Sequence, residues 1–217
     1  MEAFDFLKSI LDPDWIMSNG GLYLVLLILF IETGMFFGFF LPGDPLLFVA
    51  GMVIASADEA SYPFAYDFYN LLYWIVLFLI ATIAGYFLGY GFGQKFGNVL
   101  QNKEDTWLFK RKYILTAHEF YEKKGGFAIG VARFLPIVRT FAPIVGGMVK
   151  MDIKRFTAYN VVGAILWVGG ITSLGYMLGE NPWVNRNLEY VIIGLVLIVT
   201  LPVVIKLILK KKMNENK

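Results

Sequence analysis

Long apolar segments constrain this chain more than any other feature. They run over residues 20–57, 70–94, 125–150, 156–179 and 189–210. About 20 apolar residues in a row is the length of a transmembrane helix, so most of the chain is suited to lipid. Two of these segments are interrupted. The first holds Pro42-Gly43-Asp44-Pro45 and, upstream, Glu32; the second holds Pro136 and Pro143 together with Arg133 and Arg139. Composition supports the membrane reading: 58% of residues are hydrophobic and 17% charged, where a soluble domain has about 25% charged. The chain is read as an all-α polytopic membrane protein.

Charge distribution orients it. Residues 58–67 carry Asp58, Glu59 and Asp67 without a Lys or Arg, whereas 95–124, 150–155 and the C-terminal tail are rich in Lys, with Arg111 and Arg155 in the first two. Basic loops stay in the cytoplasm, which puts the C-terminus inside and 58–67 and 180–189 outside. Segment 125–150 then has two cytoplasmic flanks, which a single crossing cannot give. Its prolines favour a re-entrant hairpin, a form that survives at membrane depth only inside protein or along a polar cavity.

The first interrupted segment shows a related pattern. Phe40-Leu41-Pro42 is followed by Ala50-Gly51-Met52-Val53, and Phe134-Leu135-Pro136 by Gly146-Gly147-Met148-Val149. Leu88-Gly89-Tyr90 and Leu174-Gly175-Tyr176 recur near the ends of the two following segments. The expected architecture is an inverted repeat of a re-entrant helical hairpin plus a transmembrane helix. Pro42, Gly43 and Pro136 serve as hairpin hinges, and 189–210 adds a C-terminal transmembrane helix. The boundaries expected are an amphipathic N-terminus (1–19), a first hairpin (20–57), a helix (70–94), a cytoplasmic amphipathic segment (104–124), a second hairpin (125–150) and helices at 156–179 and 189–210. Phe4, Leu7, Ile10 and Leu11 at helical spacing, and Trp107, Ile114, Ala117 and Tyr121 beside Lys110 to Lys112, suit two interfacial helices. The first 17 residues lack a basic start and a cleavage site, so no cleaved signal peptide is expected.

The charges inside apolar sequence point to function. Segments 70–94 and 156–179 contain none, while the first broken segment holds Glu32 and Asp44 and the second Arg133 and Arg139. Each charge at a helix centre costs about 2.5–3.5 kcal/mol on insertion scales. Two readings fit: the acids neutralise the arginines and lock the hairpins together, or the four form a transport site. Buried ion pairs stabilise poorly against apolar packing, and these sit where helices break, which favours transport. Arginine offers a planar fork for phosphate, and buried carboxylates can carry protons, so Arg133 and Arg139 are the candidate substrate ligands and Glu32 and Asp44 the proton-coupling groups. With no cysteine and one histidine, His118, neither a cofactor, a metal site nor an enzyme is expected. A net charge of +2 gives no reason for a nucleic-acid partner. Trp167 and Tyr176 read as packing or interfacial residues, and the glycines Gly85, Gly89, Gly146 and Gly147 as close-approach points.

Residues 32–51, ETGMFFGFFLPGDPLLFVAG, resemble the first signature of the DedA family, also called the VTT or SNARE-associated family. Residues 120–151, with Arg-Phe-x-Pro-x-x-Arg and then Gly-Gly, are similar to its second, and FTAYNVVGAILW (156–167) extends the likeness. The resemblance implies two opposed re-entrant hairpins. It also implies return of undecaprenyl phosphate across the bacterial inner membrane, dependent on the proton-motive force. The family's membrane acids and arginines correspond to Glu32, Asp44, Arg133 and Arg139. Tyr86 stands after Gly85 where relatives often have an acid, so any role of that acid does not carry over. The function expected is a proton-coupled flippase of a lipid phosphate, with phospholipid scrambling without protons as the alternative and homo-oligomerisation left open.

Overall fold

A computed structural model describes residues 11–35, 38, 41–56, 63, 64, 66–102, 133, 136–188, 190–194 and 197. The described residues are helical, with no strand among them. Helix α1 (Pro13–Ser18) starts on Asp12, whose carboxylate accepts from the Asp14 and Trp15 backbone N–H groups. Gly20 and Gly21 follow with φ of 126° and 59°. A Cβ disfavours such backbone, so this pair turns the chain into α2 (Gly21–Gly34).

Helix α2 buries Leu22, Val25, Leu29 and Glu32. Their spacing of three to four residues defines one helix face, so the apolar stripe delivers an acid into the interior. Helix α2 ends at Gly34, and α3 (Gly43–Ser56) begins nine residues later. Leu46 to Ala50 are all buried, the pattern of a helix enclosed on every side. At about 1.5 Å per residue, 14 residues reach about 21 Å, short of the roughly 30 Å of a hydrocarbon core.

Helix α4 (Asp67–Asn102) is 36 residues long and exceeds the expected 70–94 at both ends. Apolarity marks the lipid-suited portion, not the helix end, and no proline stops the polar residues after Gln94. Helix α5 (Pro136–Met148) contains Pro143. It closes on Lys150, φ 51°, with Met151 N–H on the Gly146 carbonyl and Lys150 N–H on the Gly147 carbonyl, a Schellman ending. Asp152 then caps α6 (Ile153–Ala164) by accepting from Arg155 N–H at 2.9 Å. A π-helical turn, Ile165–Gly169, joins α6 to α7 (Gly170–Gly179) without a break. Asn181 caps the short α8 (Pro182–Arg186).

Phe68–Lys95 and Ile153–Gly179 are long and apolar enough to cross a membrane. Leu72, Val76 and Ile80 lie exposed one turn apart on α4, and Val162 lies exposed one turn before Ile165 and Leu166 on the other span, which gives both an apolar outer face. Helix α3 packs on α7, α5 on α4, and α2 on α4. The first two contacts are built alike. A Cβ on Gly51 would sit 2.1 Å from the Thr172 carbonyl oxygen, and one on Gly175 2.0 Å from that of Phe48. A Cβ on Gly147 would sit 2.0 Å from the Tyr90 carbonyl oxygen, and one on Gly93 1.9 Å from that of Ile144. Only glycine lets backbones approach this closely. The expected N-terminal amphipathic pattern (Phe4 to Ile10), the segment 104–124 with His118, and most of 189–210 lie outside the described residues.

Candidate functional site

The breaks in the apolar helices bring the charges together. Glu32 lies in the last turn of α2, Asp44 in the first turn of α3 just after Pro42, and Arg139 in the first turn of α5, which begins at Pro136. Arg139 Nη1 donates to Asp44 Oδ1 at 2.6 Å, and Nη2 to Glu32 Oε1. One guanidinium thus spans both acids, each about a hundred residues away in sequence. All three side chains are buried. Asp44 also gains from the positive N-terminal end of α3. Gly43 makes room for this arrangement, since a Cβ there would fall 1.7 Å from Glu32 Oε2.

Trp167, in the π-helical turn, completes the ion-pair group. Its indole N–H donates to the same Asp44 Oδ1 at 2.7 Å, and its ring lies 4.3 Å from the Arg139 guanidinium carbon. Such turns often occur at functional sites. Trp167 packs in the hydrophobic core, in line with the sequence reading, and adds a polar contact that reading did not include. An aromatic residue in an apolar segment gives no sign of a hydrogen bond before its neighbours are placed.

Arg133 takes a different position. It is 1% exposed, with its guanidinium 4.2 Å from the Tyr86 ring centroid and 5.5 Å from that of Trp167. Nη1 donates to the Asn160 backbone carbonyl at 2.9 Å and to Asn160 Oδ1 at 2.6 Å. Among the described residues it has no carboxylate partner. Sequence alone does not single out Asn160, although a polar residue two turns before Trp167 on the same helix face is a usable signal. Tyr86, noticed only as a departure from a family pattern, lies fully buried against Arg133.

The site therefore joins two acids and two arginines, formally neutral in sum, with Glu32, Asp44 and Arg139 at helix ends. Glu32 Oε2, Arg139 Nε, Arg133 Nε and Nη2, and the hydroxyls of Tyr86, Thr140 and Thr172 are buried without a hydrogen-bond partner among the described residues. No group of His, Cys, Asp and Glu able to hold a metal occurs among those residues. The arrangement can bind an oxyanion through arginine and take up protons on carboxylates.

Comparison with known proteins places the chain. The VTT domain family matches residues 41–177, a stretch that contains Asp44, Arg133, Arg139 and Trp167. The chain is 45% identical over 189 residues to protein DedA of Escherichia coli (strain K12), covering 87% of this chain and 83% of that one. It is 36% identical over 211 residues to a membrane protein of Mycobacterium tuberculosis (strain ATCC 25618 / H37Rv), covering 94% and 88%. It is 35% identical over 185 residues to the inner membrane protein YqjA of Escherichia coli (strain K12), covering 83% and 76%. No solved structure matches it. A VTT domain over most of its length and close likeness to DedA make this chain a member of the DedA family of membrane proteins.

Proposed function

We propose that this protein is a proton-coupled transporter of a lipid phosphate in the bacterial inner membrane, returning undecaprenyl phosphate for cell-envelope synthesis. The observation that carries the reading is the single guanidinium of Arg139 bound to Glu32 and Asp44 where two interrupted helices begin. Broken helices that place charge at membrane depth are how secondary transporters build their sites. The matching glycine contacts, Gly51 with Gly175 and Gly147 with Gly93, support an inverted repeat of two re-entrant hairpins. The short length of α3 and α5 supports it too. The name of YqjA as an inner membrane protein agrees with the location.

Charge balance gives the mechanism its direction. The four charges already cancel, so a phosphate entering among them in a low-dielectric site needs added positive charge. Protonating Glu32 or Asp44 supplies it and frees Arg139 from its carboxylates. The headgroup then passes between the hairpins while the polyprenyl tail stays in lipid. Loss of the proton restores the ion pairs and expels the anion.

The test is headgroup translocation in proteoliposomes carrying wild type, Arg139→Ala or Glu32→Gln, with and without a pH gradient. Both variants should fall to the protein-free background, and collapsing the gradient should slow the wild type. Wild-type rates in both variants would remove the proposed site. Wild-type transport indifferent to the gradient and to Glu32→Gln would instead mark a scramblase.

A further inference from the structure

The two arginines are occupied differently, and the difference identifies which of them holds the anion. Both Nη groups of Arg139 are taken by carboxylates. Arg133 is held differently: Nη1 is bound by Asn160, and its guanidinium lies against the Tyr86 ring and, farther off, that of Trp167. Its remaining donors, Nε and Nη2, are buried with no acceptor among the described residues. These two N–H groups point the same way along one edge of the guanidinium, the edge that grips a phosphate or carboxylate with two parallel bonds. The Tyr86 hydroxyl, at the end of the ring that Arg133 covers, is likewise buried and unpartnered.

Among the described residues Arg133 has no carboxylate within ion-pair distance and the Tyr86 hydroxyl has no acceptor, and burying such groups unpaired is costly. An oxyanion on the Nε–Nη2 edge relieves both costs at once. We propose that Arg133 and Tyr86 form the headgroup subsite for a phosphate monoester: the arginine edge gives two hydrogen bonds and Tyr86 Oη a third. Asn160 positions the guanidinium, and Arg139 acts as the proton-sensitive latch beside it. This inference rests on the reading of the chain as a lipid-phosphate transporter and divides that site into two parts.

The experiment measures binding to the purified full-length protein in nanodiscs, with a polyprenyl phosphate and inorganic phosphate as separate probes. The two probes distinguish an anchored headgroup from a free ion, and the same donors serve either. Tyr86→Phe should weaken binding of whichever probe binds by about 10-fold, the effect of losing one hydrogen bond to a charged group. The same variant should melt at or above the wild-type temperature without ligand, because it removes an unpaired buried hydroxyl. A purely structural tyrosine would not show that opposition. Asn160→Asp supplies Arg133 with a carboxylate through the existing contact and should also depress binding. If Tyr86→Phe does not fold, Asn160→Asp and Arg133→Lys carry the test. Wild-type affinity in the folded variants overturns the subsite and leaves the transporter reading standing. Failure of the folded wild type to bind either probe overturns both.

Discussion

Arg139 and Arg133 come from the same broken segment and are equally hidden, yet their surroundings are opposite. Arg139 is neutralised by two carboxylates from the first broken segment. Arg133 rests on Tyr86 and on the amide and carbonyl of Asn160, which are neutral. In a low-dielectric interior the first arrangement fixes two pieces of chain to each other, because separating them strands buried charge. The second fixes only the arginine and leaves part of its hydrogen-bonding capacity unused. On the proposed transport reading, the first region holds and releases while the second receives.

The largest expected effect follows from removing the ion-paired member. Arg139→Ala leaves Glu32 and Asp44 buried and unpaired by any described cation, and breaking a buried pair in this way costs about 3–5 kcal/mol. Arg133→Ala strands only the carbonyl and side-chain oxygens of Asn160, for which about 1–3 kcal/mol is expected. Thermal unfolding of both variants in one detergent compares them directly. An Arg133→Ala protein less stable than Arg139→Ala would break the distinction between the two arginines.

Trp167→Phe sharpens it. The substitution keeps an aromatic ring near Arg139 but removes the N–H that donates to Asp44. A hydrogen bond to a charged acceptor contributes about 1.5–3 kcal/mol, so the unfolding midpoint should drop, and by less than for Arg139→Ala. Translocation should slow, while binding of phosphate at Arg133 should change little. A variant that loses phosphate binding and keeps its stability would place Trp167 with Arg133 instead.

The sequence shows the charges well and their pairing poorly. Glu32, Asp44, Arg133 and Arg139 stand out because an ion in an apolar run is expensive enough to need a reason. Pro42 and Pro136 mark where α3 and α5 begin, because proline suits the start of a helix and breaks its interior. Which arginine meets the acids depends on contacts between distant parts of the chain, and no local pattern encodes that. Trp167 and Tyr86 are hidden for another reason: their polar atoms are a small part of large apolar side chains. The proposed repeat has a sequence outline that the packing shifts in detail. Leu88-Gly89-Tyr90 matches Leu174-Gly175-Tyr176 by identity, whereas the packing puts Gly93, one turn later, where Gly175 stands. Identity matches letters; helix packing selects whichever small residue faces the neighbour.

That shift frames the smallest effect. Gly51→Ala and Gly147→Ala each place a methyl group about 2 Å from a backbone carbonyl oxygen, of Thr172 and Tyr90 respectively. Neither oxygen can swing aside as a side chain would, so the helices must part, at about 1–3 kcal/mol for overpacking. If the two seams are copies of one contact, the two substitutions should lower the unfolding midpoint by the same amount. Their functional consequence should also be shared. Gly51 is on α3, which carries Asp44, and Gly147 is on α5, which carries Arg139, so parting either seam strains the same ion pair. Arg133 contacts Tyr86 on α4 and Asn160 on α6 and approaches the ion pair only through the Trp167 ring, 5.5 Å away. Both variants should therefore lose translocation more than phosphate binding. Equal melting with that split supports two equivalent arms meeting at the latch; one arm failing alone would show that only its seam sets the position of the charges.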